Sequence, residues 1–290
     1  MSSQKQKMIL VTGGAGFIGS HLCGALVKDG NRVISLDNYS TGTEDNHIPG
    51  AEYLRGDTRD IDKIINERPD LVYHLGEYAR VEKSFEDLDT VWESNVLGTY
   101  KVLEFCLKHK VKIIYAGSST KFGDGGLGRD QSPYAWTKAT NTELVRNYGS
   151  WFNLPFAITY FYNVYGPRER SGEYGTLIEI FRQKYLQGEP LTVVSPGTQR
   201  RNFTHVEDIV LGLIKVGERG EGDEYGLGAP EDYSVLEVAE MFGEEIKMLP
   251  ERKGNRMNGK LDTSRARNEL GWFASCRLED YISEIRKKVA

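Results

Sequence analysis

Little in this chain points to secretion, metal binding or a membrane. It has 3 cysteines in 290 residues, and Cys23, Cys106 and Cys276 lie far apart. An odd, scattered set makes no disulfide framework. Cys23 and Cys106 fall in apolar helical patterns and read as reduced core thiols of a cytoplasmic protein. The histidines, His21, His47, His74, His109 and His205, show no HExxH or other paired spacing, so no metal site is expected. No apolar run approaches the roughly 20 residues of a membrane span, and the opening MSSQKQK leads into a strand pattern, not a signal peptide. A basic excess is missing too. The 37 Lys and Arg against 42 Asp and Glu leave a net charge of −5, which argues against a nucleic-acid partner. What remains is a folding composition, 39% hydrophobic and 11% aromatic, too apolar for disorder and too polar for a membrane protein.

The first half alternates short β-branched runs with helical patterns. Met8–Val11, Arg32–Leu36, Leu71–His74, Lys112–Ala116 and Ala157–Phe161 read as buried strands, with amphipathic stretches at His21–Lys28, Leu88–Lys108 and Pro133–Trp151. Such alternation predicts an α/β fold, a Rossmann-type doubly wound parallel sheet with helices on both faces. Beyond Gly166 the pattern changes to helices near Thr176–Gln187, Val206–Val216, Val235–Phe242 and Leu278–Lys287, with one strand at Leu191–Val194. We divide the chain into a first α/β domain, 1–165, and a smaller C-terminal α/β lobe, 166–290. Part of 203–220 is expected to return to the first domain.

The strongest local signal is Gly13-Gly14-Ala15-Gly16-Phe17-Ile18-Gly19, directly after the first strand. Glycine is required where the chain turns tightly, where backbone approaches a pyrophosphate and where helix meets strand. The helix that follows aims its first N–H groups at the phosphates. Asp37 ends the second strand about 20 residues beyond Gly16, where a carboxylate accepts from a ribose diol and repels a 2′-phosphate. The cofactor expected is therefore NAD, in preference to NADP.

The second signal is Tyr134-Ala135-Trp136-Thr137-Lys138. Ser132 is a natural N-cap and Pro133 a natural first helical residue, so Tyr134 and Lys138 lie one turn apart on one helix face. An ammonium beside a phenol favours the phenolate. Ser118-Ser119-Thr120 follows the Lys112–Ala116 strand pattern.

With these motifs the chain resembles the extended short-chain dehydrogenase/reductase family, in particular its nucleotide-sugar epimerases and dehydratases. GGAGFIG matches the family's GxxGxxG, and Arg55-Gly56-Asp57 its GD step, with Thr58 and Asn38 beside it. His74-Leu75-Gly76 matches the strand beneath the nicotinamide, and Asn95 the structural asparagine. The resemblance implies that Ser118, Tyr134 and Lys138 are catalytic. It implies that Gly13, Gly16, Phe17, Ile18, Gly19, Asp37, Asn38, Asp57, Thr58, Leu75, Gly76 and Asn95 bind the cofactor. Asn163 in FYNVYGP, Arg201 in RRNFTHVEDIV and Arg252 in ERKGN resemble the residues that meet the sugar diphosphate, with the helix start at Thr176 as a further anion site. Gly259 falls where the family carries a gatekeeper facing the sugar, and a small residue there leaves room for a 2-acetamido group. A homodimer through a four-helix bundle formed by Leu88–Lys108 and Pro133–Trp151 is also implied, with Val91, Val102, Leu103, Leu144 and Val145 as apolar residues at helical spacing.

Departures from the family pattern choose among reactions. Dehydratases need an Asp-Glu pair just after the catalytic hydroxyl, and decarboxylases a Glu; here Ser119 and Thr120 stand there. That favours epimerisation at C4 of a nucleotide-activated hexose, through a transient 4-keto sugar. A nucleotide-sugar dehydrogenase or reductase that exchanges its cofactor is the alternative. A non-catalytic NAD sensor is another, disfavoured by the intact Ser118, Tyr134 and Lys138. Glu77 stands where the family has a small apolar residue, and Arg80 follows; Arg80 is a substrate-binding candidate, unless the two pair with each other.

Overall fold

The computed structural model describes residues 6–172, 175–250 and 261–288. Seven parallel strands form the central sheet: β1 (Met8–Thr12), β2 (Arg32–Asp37), β3 (Ala51–Arg55), β4 (Leu71–His74), β5 (Lys112–Ser118), β6 (Phe156–Phe161) and, after a long excursion, β11 (Gly222–Leu227). Their order is β11-β6-β5-β4-β1-β2-β3, with all neighbours parallel. Order reverses between β1 and β4, so the loops leaving these strands part and open a crevice at their carboxyl ends, the place where doubly wound sheets bind ligands.

The helices on the sheet are α1 (Phe17–Lys28), a short α2 (Ile61–Ile64), then α3 (Leu88–Val91), α4 (Gly98–His109) and α5 (Pro133–Phe152). The stretch read as one helix over Leu88–Lys108 is α3 and α4 joined by a π-helical turn at Trp92–Leu97. α5 begins as its sequence predicts: Ser132 Oγ accepts the Ala135 N–H at 3.1 Å, and Pro133 occupies the first turn. It ends where Asn153 turns left-handed at φ 54°. One core layer packs α1 and the later helix α7 on the sheet through Leu22, Tyr73, Leu213 and Trp272. The other packs α4 and α5 through Val102, Leu103, Tyr115 and Val145.

The second lobe holds β7 (Val164–Tyr165), α6 (Leu177–Gln187), β8 (Leu191–Val194), β9 (Arg200–Asn202), β10 (Thr204–His205), β12 (Asp232–Ser234), α8 (Val235–Phe242) and β13 (Ile246–Leu249). α10 (Leu278–Lys287) completes it, whereas α9 (Ser264–Leu270) packs Ala266 and Leu270 into the core of the first domain. The core of the second lobe is separate, built on Phe181, Leu191, Phe242 and Ile282. Between these pieces α7 (Val206–Arg219) and β11 return to the first domain, so the return extends past residue 220 to include the edge strand. The lobes meet through His21 Nε2 and Pro167 O at 2.9 Å and through Arg170, which donates to Ser40 O at 3.3 Å. Among the described residues no helix is long and apolar enough to cross a membrane.

Candidate active site

Each end of the crevice is built by one strand and the turn after it. At the β1–α1 turn Gly13 has φ +75°, and a Cβ there would lie 2.9 Å from Gly76. A Cβ on Gly19 would strike Gly13 O at 2.0 Å. Only glycine lets this turn, α1 and the β4 loop approach so closely. Gly13, Gly16, Phe17, Ile18, Gly19, Asp37, Asn38, Thr58, Leu75 and Gly76 all line one cleft, which continues past Glu77 and Arg80 to Tyr134 and Lys138.

Asp37 is buried at the end of β2. Its carboxylate accepts the N–H groups of Ala15 at 2.9 Å and Tyr39 at 2.8 Å. Burial raises its pKa, and these two amide bonds pull it back. Asp57 is engaged differently. It accepts from Arg59 Nε at 2.8 Å and Asn38 Nδ2 at 3.2 Å, and these donors hold its carboxyl below the usual range despite the opposing effect of burial. It lies beneath Asn38 and Thr58, not on the cleft wall. Asn95, expected among the cofactor residues, is wholly buried. Its Oδ1 accepts Tyr78 N–H at 2.7 Å, and its Nδ2 donates to Tyr78 O at 3.2 Å and Thr137 Oγ1 at 3.1 Å. With its amide so engaged it holds the 75–80 loop against α5 and is a strut, not a lining residue.

At the other end the Tyr134 hydroxyl donates to Ser118 Oγ at 3.3 Å. Ser118 ends β5 and is buried, and its Oγ lies 2.8 Å from Thr120 Oγ1. Lys138, one turn beyond Tyr134, donates to Glu77 and to Ala116 O. That contact sets aside the alternative in which Glu77 and Arg80 pair with each other: Glu77 turns inward, its side chain only 3% exposed. Arg80 instead faces the cleft beside Tyr134. Its Nε is buried without a partner among the described residues, and burial lowers its pKa from the usual arginine value. An unpartnered buried guanidinium nitrogen is a costly arrangement for a protein to keep unless a ligand acceptor meets it.

The second-lobe candidates are each engaged by the chain itself. Asn163, at φ 38°, donates to Asn202 O at 2.9 Å. Arg201 lies in the ribbon of β9 with β12, opposite Tyr233, and its Nη1 donates to Arg200 O at 2.8 Å. The Thr176 N–H, expected to face an anion, donates to Glu169 at 2.6 Å; a carboxylate of the chain itself fills the head of α6. Arg252 and Gly259 lie outside the described residues. Sequence reasoning missed Glu169, which lies seven residues ahead of the α6 N-cap, too far for any capping pattern to have signalled it. Burial pushes its pKa up to about 7.

A glycine-lined crevice at the sheet's switch point, an acidic residue closing β2 and a Ser-Tyr-Lys group at the far end define a dinucleotide-dependent enzyme. A profile of the NAD dependent epimerase/dehydratase family matches residues 9–228. The chain belongs to that family, and NAD is its cofactor. It is 33% identical to the putative UDP-glucose 4-epimerase of Methanocaldococcus jannaschii over 96% of this chain and 97% of the relative. It is 32% identical to UDP-glucuronic acid decarboxylase 6 of Arabidopsis thaliana over 96% of this chain and 87% of the relative. Among solved structures, the UDP-glucose 4-epimerase of Thermus thermophilus in complex with NAD superposes with a TM-score of 0.86 at 30% identity, covering 97% of each chain.

Proposed function

We propose that the protein is an NAD-dependent nucleotide-sugar 4-epimerase. The observation that carries this reading is the 3.3 Å hydrogen bond between Tyr134 and Ser118, beside a cleft in which the positions after Ser118 are hydroxyls, Ser119 and Thr120. Dehydration and decarboxylation in the family call on carboxyl groups there, whereas inversion at C4 requires only that a hydroxyl proton leave and return. Bound NAD supplies the hydride acceptor and donor at C4. Tyr134 takes the proton of the sugar 4-hydroxyl, and Ser118 holds the same oxygen and steadies the proton. Lys138 keeps a positive charge next to the phenol. Arg80, its Nε unpartnered, is placed to meet an anionic or hydroxyl oxygen of the substrate, and Asn163, Arg201 and Arg252 are proposed for the diphosphate. Gly259 is proposed to admit a 2-acetamido group.

The protein is also proposed to act as a homodimer. The apolar residues named from sequence spacing, Val91, Val102, Leu103 and Val145, are buried in the subunit's own core. A different set is exposed on the same helices: Leu88, Trp92, Tyr100, Trp136, Trp151 and Phe152. Large apolar side chains left exposed on these helices suit a copy of the same chain.

The experiment is to incubate purified protein with UDP-, GDP- and dTDP-linked hexoses, plain and 2-acetamido, and to follow C4 inversion by NMR. Inversion without added cofactor supports the reading. Release of carbon dioxide from UDP-glucuronate, or net reduction that consumes added cofactor, replaces it.

A further inference from the structure

Among the described residues Glu77 is the one carboxylate lining the far end of the cleft, where Tyr134 and Lys138 stand. One of its oxygens takes Lys138 Nζ. The other accepts from Asn141 Nδ2 at 2.8 Å, Thr99 Oγ1 at 2.9 Å and Tyr115 OH at 3.1 Å. These donors come from α5, α4 and β5, so the carboxylate is gripped between the sheet and both helices. A row of hydrogens leads to the same atom. Thr12 Oγ1 accepts the Gly76 N–H at 3.0 Å, which leaves its own hydrogen for His74 Nδ1 at 2.7 Å. His74 then donates from Nε2 to Thr99 at 3.0 Å, and the Thr99 hydroxyl donates to Glu77. Every donor in the row is turned toward Glu77, an order that suits a carboxylate and wastes a carboxylic acid. Burial is the largest effect and would raise the Glu77 pKa, but the Lys138 charge, the neighbouring His74 and the hydrogen bonds from Lys138 and Thr99 together bring the group below its ordinary range.

Lys138 needs such a partner. Its side chain is 6% exposed, and besides Glu77 it meets Ala116 O and the face of Tyr115 at 4.6 Å. The titratable groups facing it are His74 and Glu77 from β4 and the loop after it, Tyr115 from β5 and Tyr134 from its own helix. Burial takes His74 down to about 4, so it is neutral, and burial with the Glu77 charge takes Tyr115 well up, so it is a phenol. Among the described residues Glu77 therefore supplies the negative charge. We infer that Glu77 is a positioning residue: the counter-ion that keeps Lys138 charged and fixed one turn from Tyr134. The inference rests on Tyr134 and Lys138 being the working pair proposed above.

The test compares the unsubstituted protein with Glu77→Gln and Glu77→Asp, each saturated with NAD. A buried ammonium without a counter-ion gives up its proton more readily. In Glu77→Gln the alkaline limb of the kcat profile is expected to move about one pH unit or more toward neutrality, with KM changed less than about threefold. Glu77→Asp, which keeps the charge, is expected to hold that limb in place while kcat drops by about tenfold through misplacement. A loss equal at every pH, or the same limb shift in both variants, overturns the inference. The second readout needs no substrate: NMR of protein carrying isotope-labelled lysine, with the Lys138 signal identified by its loss in Lys138→Met. In the unsubstituted protein that signal is expected to be that of an ordered, hydrogen-bonded ammonium shielded from solvent exchange, and a mobile, freely exchanging amine like that of an exposed lysine overturns the inference even where Glu77→Gln fails to fold. A protonated, anchored amine together with no C4 inversion on any sugar removes the epimerase reading and leaves the role of Glu77 standing.

Discussion

Glu169 accepts the Thr176 N–H at 2.6 Å, so the head of α6 is capped by a buried carboxyl group and not by a free site for a substrate anion. Burial pushes the pKa of Glu169 up to about 7, above the value near 4.3 of a solvated glutamate. Between these two values the folded chain holds a proton that the unfolded chain has released. Stability from this group is therefore complete below the unfolded value and is lost as pH rises through the folded one. Each unit of difference is worth about 1.4 kcal/mol. Glu169→Gln is expected to flatten the fall in unfolding free energy between about pH 5 and 7, measured by urea denaturation. An unchanged slope disproves the assignment.

Tyr134→Phe is expected to keep the fold and bound NAD while lowering kcat by about 10²–10⁴-fold, the usual reach of a positioned acid–base group. Ser118→Ala leaves the phenol in place and is expected to cost less, on the order of 10–10²-fold. Steady-state rates with retained cofactor measured on the same samples check both. Undiminished biological function in Tyr134→Phe, with turnover lost, would return the sensor alternative to favour.

Asp37→Ala removes the acceptor at the end of β2. It leaves the Ala15 and Tyr39 amides, both now bonded to that carboxylate, without their partner. NAD is expected to bind at least about tenfold more weakly, and discrimination against NADP to narrow. Fluorescence titration with NADH and NADPH reads both effects.

The Trp92 and Trp136 rings stack at 5.7 Å with 11° between their planes, and both remain exposed in the subunit. Trp136→Glu places a charge in the centre of this face and is expected to shift the protein toward monomer with little change in secondary structure. Light scattering across a concentration series measures it; a wild-type chain that is monomeric at every concentration removes the premise.

What could be read from sequence was local. The turn from β1 into α1 and the Tyr134–Lys138 pair are contiguous, and their geometry follows from helix and strand spacing alone. β3 and β11 escaped because AEYLR and GDEYGL mix charge and glycine into edge positions, where one face is only partly covered. The role of Glu77 was illegible for another reason. Its partners Thr99, Tyr115, Lys138 and Asn141 come together only when α4, β5 and α5 close on one another, and no spacing within the chain records that. Asn163 and Arg201 were chosen by resemblance and Thr176 as a helix start, and the structure gives each a hydrogen-bond partner within the chain that no spacing foretold. Asn95, expected at the cofactor, instead supports the cleft loop through Tyr78 and Thr137.

The late arrival of β11 beside β6 carries a consequence for how such a protein can be taken apart. A gene cut after residue 165 would leave β6 as a bare rim of unpaired amides and carbonyls, open to stacking with other molecules. The two lobes are thus stitched and not hinged at a single seam, and exchanging one lobe for another in the laboratory requires carrying α7 and β11 along with the half they complete.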